Sequence, residues 1–247
     1  MSEKEYEDQV EGRNSVLELL ESGKDINKIF IQIGEKHGSI NKIISKAKEN
    51  RIVIVQAEKS KLDKMSQTNN HQGVIAIVPP FEYSSVEDIV EEAKKRNEQP
   101  FILILDGIED PHNLGSIIRT AETAGVHGII IPKNRSVDVT PTVIRTSVGA
   151  SKYVPIVQIT NIISTMKELK KKGFWFVGTD MDGTPYNEID YKGKTCIVIG
   201  SEGFGMSRIV KENCDFIATI PMNGKINSLN ASVAAGIVIY EAVKVRR

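Results

Sequence analysis

The sequence predicts an α/β chain in two parts, a small N-terminal unit and a larger C-terminal unit built on an open sheet. Three observations carry this. The five-residue apolar runs FILIL (101–105) and TCIVI (195–199) read as strands buried on both faces, and each leads into a polar loop containing glycine. Segments with apolar residues at helical spacing alternate with such strands along the chain. An acidic stretch opened by Pro79-Pro80 divides the two parts, which places the units at 1–78 and 100–247 with a linker over 79–99.

The 247 residues suffice for two domains, and 40% hydrophobic content is ample for their cores. No apolar run is long enough to span a bilayer, and the acidic start MSEKEYEDQVEG does not resemble a signal peptide. Cys196 and Cys214, the two cysteines, fall in no ligand spacing, which argues against a disulfide framework or a zinc site and makes the cytoplasm the expected location. The net charge of zero conceals a pattern. Residues 9–78 hold 11 bases and 8 acids, 79–98 hold 3 and 6, and 99–247 hold 17 and 14. Two mildly basic blocks flank an acidic connector, which permits contact with phosphates without requiring it.

In the N-terminal part, helices are expected over 12–20, 40–50 and 59–65, and strands over 28–33, 51–57 and 73–78, an αβαβαβ order. Its polar candidates are Arg13, Asn14, His71 and Gln72, with His71-Gln72-Gly73 reading as a turn. Lys42, Lys46, Lys48, Lys59, Lys61 and Lys64 read most simply as a solvated face. In the connector, Val86, Ile89, Val90 and Ala93 lie at helical spacing behind a Ser85 cap.

In the C-terminal part, the strand at 101–105 opens into DGIEDPHNLGSIIRTAETAG, a loop entering a helix near Leu114 that stops at Gly125. Asn113 and Arg119 sit six residues apart, not on one face, yet both can reach the mouth at the strand's carboxyl end, where open α/β sheets bind ligands. The plain alternative for Arg119 is a surface arginine paired with Glu122. A strand follows at 127–132. Thr140-Pro141 then starts a helix running to Val148, with proline at its first position. An edge strand containing Pro155 is expected over 154–157, a helix over 162–172 and a strand over 174–179. TDMDG (179–183) has a passing look of a calcium loop, but its glycine comes too early for that pattern.

After TCIVI, residues 200–205 read G-x-x-G-x-G, the reverse of the dinucleotide fingerprint, and the position about 20 residues on is Ile220 rather than an acid. The glycines are better suited to letting main-chain groups approach a ligand. Glu202, a carboxylate between glycines, is not needed for packing. The stretch IPMNGKINSLNASVAAGIVIYEAV (220–243) is a strand end, a polar loop and a helix. Asn227, Ser228 and Asn230 supply short polar groups where helix N–H groups lack partners. Ala231, Ala234, Ala235 and Gly236 leave the helix face thin.

Taken together, NLGSIIRTAETAG (113–125), IVIGSEGFGMS (197–207) and IPMNGKINSLNASVAAGI (220–237) resemble, in order and content, the three motifs of the SpoU/TrmH group of RNA ribose 2′-O-methyltransferases in the SPOUT superfamily. EGRNSVLELL and HQGV resemble the substrate-binding domain carried by a subset of that group. Within the group, the combination looks closest to the bacterial enzymes that methylate a guanosine ribose of 23S rRNA. The resemblance implies a C-terminal parallel-sheet domain closed by a deep trefoil knot, preceded by a small RNA-binding domain. It also implies a homodimer, S-adenosylmethionine as cofactor with no metal, and RNA (rRNA or tRNA) as substrate. Cofactor contacts would fall near Thr179, Gly200, Ile220 and Leu229, and the polar active-site set would be Asn113, Arg119, Glu202, Ser228 and Asn230. Arg119 is the expected catalytic residue, often cast as the base. A guanidinium is a poor proton acceptor, so fixing a phosphate and stabilising the alkoxide suits it better. The rival readings are a non-catalytic RNA-binding module, which this intact polar set disfavours, and a nucleotide-cofactor oxidoreductase, which the reversed glycine spacing disfavours.

Overall fold

The N-terminal strands obey a period of two, and the two faces they create are covered differently. In order, the elements are β1 (Gln9–Glu11), α1 (Arg13–Glu21), β2 (Lys28–Gln32), α2 (Ser39–Glu49), β3 (Val53–Ala57), α3 (Lys59–Met65) and β4 (Val74–Ile77). The sheet order is β1-β4-β2-β3, with β2–β3 parallel and both pairings of β4 antiparallel. Ile29, Ile31, Val74 and Ala76 pack under Val16, Leu19, Leu20, Ile40 and Ile43 of the first two helices. Phe30, Ile75 and Ile77 pack under Leu62. The three-residue strand β1 was not expected, being too short to show a period. His71 and its neighbours form the expected turn: its Nε2 lies 2.8 Å from Asp63 Oδ1, and its Nδ1 accepts from Gly73 N–H at 3.0 Å.

The computed structural model describes residues 8–23, 25–35, 38–201 and 203–246, and the chain divides into the units Met1–Phe81 and Glu82–Arg247. In the second unit the elements are α4 (Val86–Lys95), β5 (Phe101–Asp106), α5 (Pro111–Ala124), β6 (Gly128–Pro132), α6 (Pro141–Thr146), β7 (Ile156–Ile159) and α7 (Ile162–Lys171). They are followed by β8 (Trp175–Pro185), β9 (Thr195–Gly200), α8 (Arg208–Glu212), β10 (Phe216–Thr219) and α9 (Ala231–Arg246). The sheet runs β10-β8-β9-β5-β6-β7, with every neighbouring pair parallel. Helix starts are capped as the side chains dictate: Ser85 and Asp88 form a capping box, Asp110 accepts from His112 N–H ahead of Pro111, and Asn161 accepts from Ser164 N–H. Among the described residues no helix is long and apolar enough to cross a membrane.

Three expectations are corrected. The linker over 79–99 is not one, because from Glu82 onward it belongs to the second unit. Ile89 and Ala93 of α4 are fully buried there, and a Cβ on Gly128 would lie 2.3 Å from Ile89 Cγ1. The edge strand β7 begins after Pro155, which lacks a donor but whose carbonyl accepts from Ile129 N–H at 2.9 Å. Strand β8 runs on to Pro185. Its partner β10 pairs first with Val177 and Gly178 and then, after a register shift, with Thr184 and Pro185. Residues 179–183, the stretch weighed as a calcium loop, bulge between these two registers. Among the described residues no cluster of metal ligands forms.

His127 is 1% exposed, accepts from Phe101 N–H through Nδ1 at 3.0 Å and donates through Nε2 to Glu98 at 3.0 Å. Burial holds its pKa below the ordinary 6.5, Arg96 and Arg246 push it the same way, and Glu98 opposes them. The unfolded chain therefore binds the extra proton first, so stability falls as pH drops below about 6.5. Urea midpoints at pH 7.5 and 5.5 should differ more for the wild type than for His127→Gln, which keeps an acceptor but cannot titrate. Equal differences would assign the acid sensitivity to other groups.

Candidate active site

The strand order brings the carboxyl ends of β8, β9 and β10 side by side at one edge of the sheet, and a cleft of about 730 Å3 opens there. Its floor is apolar or small: Ile199, Ala218, Ala231 and Ala234. Thr179, Gly200, Ile220, Ser228 and Leu229 all line it. Thr179 is oriented by donating its hydroxyl to Val198 O at 3.1 Å, and Thr219 donates to Met181 O at 2.7 Å across the β8 bulge.

Gly200 has no room for a side chain. A Cβ there would come within 2.3 Å of Gly205 C and Met206 N, because the following loop doubles back on the strand end. Ser201 and Gly205 exchange main-chain hydrogen bonds of 3.0 and 2.9 Å, and Ser207 N–H donates to Asp106 Oδ2 at 2.7 Å, tying this loop to the end of β5. Beyond β10, residues 221–229 make no hydrogen bond with the rest of the described fold. Of these, Pro221, Met222, Asn227, Ser228 and Leu229 line the cleft, where their peptide groups are open to a ligand.

Asn230 ends that loop and caps α9. Its Oδ1 accepts from Ser232 N–H at 2.9 Å and Val233 N–H at 3.3 Å, while its Nδ2 donates to Asn113 Oδ1 at 2.9 Å. Asn113, in the first turn of α5, is buried. The start of α5 and the loop before α9 are thus joined by a hydrogen bond between residues 117 positions apart. Arg119 stands apart. Six residues along α5 from Asn113, it lies about 9 Å further along the axis and about 120° round it. Its side chain is exposed, does not line the cleft, and forms no ion pair with Glu122 or any other described residue. Glu202 lies outside the described residues.

The sequence reading missed three features of the cleft. Burial pushes the Asp180 carboxyl up, but the Lys211 ammonium at 2.9 Å and the Met181 and Asp182 N–H groups outweigh it and hold the pKa below the ordinary value. Met181 and Met222 line the cleft with exposed side chains, and Phe204 projects from the glycine loop at its mouth. Only Phe204 carried a signal in the sequence, as an aromatic between two glycines.

The cleft passes a simple test for S-adenosylmethionine. Its volume lies in the range of small-molecule sites, its walls are small and aliphatic, and it offers main-chain donors and acceptors without a protein partner.

Comparison with known proteins agrees with this geometry. Residues 100–240 match the model of the SpoU rRNA Methylase family, and residues 9–84 match that of the RNA 2′-O ribose methyltransferase substrate-binding domain. A Staphylococcus saprophyticus protein is 49% identical over 95% of this chain and 94% of its own length, and Bacillus subtilis YacO is 46% identical over 97% and 96%. Both are named for the TrmH family of tRNA/rRNA methyltransferases. Among solved structures, the SpoU methyltransferase AviRb of Streptomyces viridochromogenes with bound AdoMet superposes with a TM-score of 0.66 at 25% identity, covering 96% of this chain and 90% of that one. An AdoMet-bound rRNA methyltransferase of Sinorhizobium meliloti gives 0.68 at 26%, covering 97% and 87%.

Asn230→Ala removes both the α9 cap and the bond to Asn113. It should lower unfolding free energy in a denaturant titration by about 1–2 kcal/mol. A loss below about 0.3 kcal/mol would mean that the cap is redundant.

Proposed function

This chain belongs to the SpoU rRNA methylase family, and from that premise we propose that it methylates the 2′-hydroxyl of a ribose in structured RNA, most specifically a guanosine of 23S rRNA. The observation that carries the reading is a cleft lined by Pro221, Met222, Asn227, Ser228 and Leu229, whose peptide groups are open, directly before the Asn230 that bonds Asn113. S-adenosylmethionine is the cofactor, and when bound it supplies an electrophilic methyl on a sulfonium that is already a good leaving group.

The protein's own part is placement. Thr179, Gly200, Ile220 and Leu229 hold the donor, largely through main-chain groups, and their rigid strand ends fix where the methyl points. Orientation of this kind is worth up to roughly 7–11 kcal/mol in favourable reactions. Ser228 and the two asparagines orient the ribose, and Glu202 braces an arginine or the sugar. Arg119 keeps its proton, so it clamps the adjoining phosphate and stabilises the developing alkoxide, while the hydroxyl proton leaves through phosphate or water.

Arg119 does not reach the cleft of its own chain, which supports a homodimer. Val233, Ile237 and Tyr240 form a partly exposed apolar stripe on α9, and Tyr240 Oη lies 3.5 Å from Thr123 Oγ1 on the helix that carries Arg119. A second copy seated on this α5–α9 surface would bury the stripe and bring Arg119 of one copy to the cleft of the other. The trefoil knot belongs to the same proposal. After β10 at the sheet's edge the chain returns past β8 to lay α9 on α5 and β9. The N-terminal unit supplies RNA capture, supported by its substrate-binding match and its excess of bases, and the cytoplasm is where such an RNA is met. Transfer RNA is the second reading, because the relatives above are named for both substrates.

Mapping 2′-O-methyl groups in rRNA and tRNA from a deletion strain tests the function. Loss at one 23S guanosine supports the first reading, loss confined to tRNA supports the second, and no loss in either overturns both. Arg119→Ala should keep S-adenosylmethionine affinity within about two-fold yet lower turnover by about 100-fold or more. A matching fall in donor affinity would make Arg119 a cofactor clamp. Removing residues 1–81 should spare donor binding and weaken RNA binding in a filter assay, and unchanged RNA affinity would count against the N-terminal unit's role.

A further inference from the structure

Phe204 is 97% exposed, the most exposed of the large hydrophobic side chains in the described residues. That exposure is held in place by the surrounding chain. The loop beneath it is closed by the Ser201–Gly205 hydrogen bonds, Gly205 takes the left-handed φ of +64° that closure needs, and the Ser201 hydroxyl donates again to Gly205 O at 3.2 Å. On one side the loop presses on Gly200 too closely to admit a Cβ, and on the other buried Met206 anchors it. The ring is thus presented beside the Ser201–Gly205 closure, and it is the one aromatic side chain among the described residues that line the cleft.

We infer that Phe204 is the platform on which the base of the target nucleotide stacks, an inference that rests on the RNA ribose methylation proposed above. The chemistry of the acceptor requires a base at this place. For the 2′-oxygen to meet the methyl, the ribose must enter the cleft, and the base is carried on the neighbouring ring carbon. It therefore sits at the mouth whatever its identity. Enzymes that do chemistry on a base draw it out of its stack and hold it against aromatic or apolar side chains, and a ribose that enters a cleft calls for a similar support for its base. A phenyl face receives any base, because every base has a π-face. The exposed thioethers of Met181 and Met222, which line the same cleft, supply adaptable apolar contacts beside the ring. Two other occupants fit less well. The donor surface proposed above consists of peptide groups and small aliphatic side chains rather than an exposed aromatic ring. The apolar stripe suited to a second copy lies on α9, and Val233 and Tyr240 are not cleft residues.

The test uses full-length protein, tritium-labelled S-adenosylmethionine, and rRNA and tRNA pools from a strain lacking the enzyme. Phe204→Ala should reduce kcat/KM for the methylated RNA by about 10- to 100-fold, chiefly through KM, as loss of one base–aromatic stack predicts. Phe204→Tyr should recover activity to within about three-fold of wild type. S-adenosylhomocysteine affinity by calorimetry and mass by sedimentation should be the same for all three proteins. The inference is overturned if Phe204→Ala matches wild type on RNA, if its S-adenosylhomocysteine affinity falls in step with its rate, or if its mass drops to that of a smaller assembly. Wild-type protein that methylates neither pool overturns the RNA reading itself, and this inference with it.

Discussion

One side chain holds the two ends of the C-terminal unit in register. Asn230 uses its carbonyl oxygen to cap α9 and its amide nitrogen to reach the buried Asn113 at the start of α5. A neutral hydrogen bond contributes only about 0.5–1.5 kcal/mol net, and a cap a similar amount, so its energetic worth is modest. Its geometric worth is larger. Both helix starts become fixed relative to each other, and with them the loop 221–229, which has no hydrogen bonds of its own to the described fold. Removing either amide would free the cleft wall without unfolding the sheet.

The same cleft depends on close approach elsewhere. The missing Cβ at Gly200 lets its own loop fold back over the strand end. The missing Cβ at Gly115 lets α5 lie against α6, where a methyl would meet Thr146 at 2.6 Å. Gly183 performs the same service in the β8 bulge, where a Cβ would lie 2.3 Å from Ile217 O. At Gly200 and Gly183 backbone occupies the space a Cβ would need, and at Gly115 the Thr146 side chain does, so even alanine would force the structure to shift. The bulge in turn aims Asp180 and Met181 at the cleft, and the Asp180–Lys211 pair fastens it to α8.

Much of this was legible in the sequence because it follows local rules. The buried strands announced themselves as apolar runs, and Ser85 and Thr140 announced helix starts by their capping chemistry, whereas α5 starts at Pro111, ahead of the entrance expected near Leu114. What could not be read were consequences of long-range pairing. The β8 extension depends on how β10 pairs with it after a register shift. The place of α4 depends on Gly128 leaving a socket for Ile89. The motif residues were visible, but that Asn113 meets Asn230 while Arg119 faces away follows from helix phase and from the path of the last segment. Neither appears in spacing alone.

The division between peptide-lined and side-chain-lined regions of the cleft has a chemical consequence. A donor gripped by open backbone groups displaces water from them and breaks no protein hydrogen bonds, so each contact is a net gain and no particular side chain is demanded. The acceptor end is the reverse. Distinguishing a ribose hydroxyl, a phosphate and a base calls for side chains of specific shape and charge, and in the function proposed above these come from residues far apart in sequence: Asn113, Phe204, Ser228 and Asn230, with Arg119 of a second copy. Such an arrangement lets selectivity for the nucleic acid change by substitution at the mouth, or in the N-terminal unit, while the donor-binding floor stays as it is. On that proposal donor and acceptor binding are interdependent, since Ser228 and Leu229 are neighbours in one loop that lines the cleft.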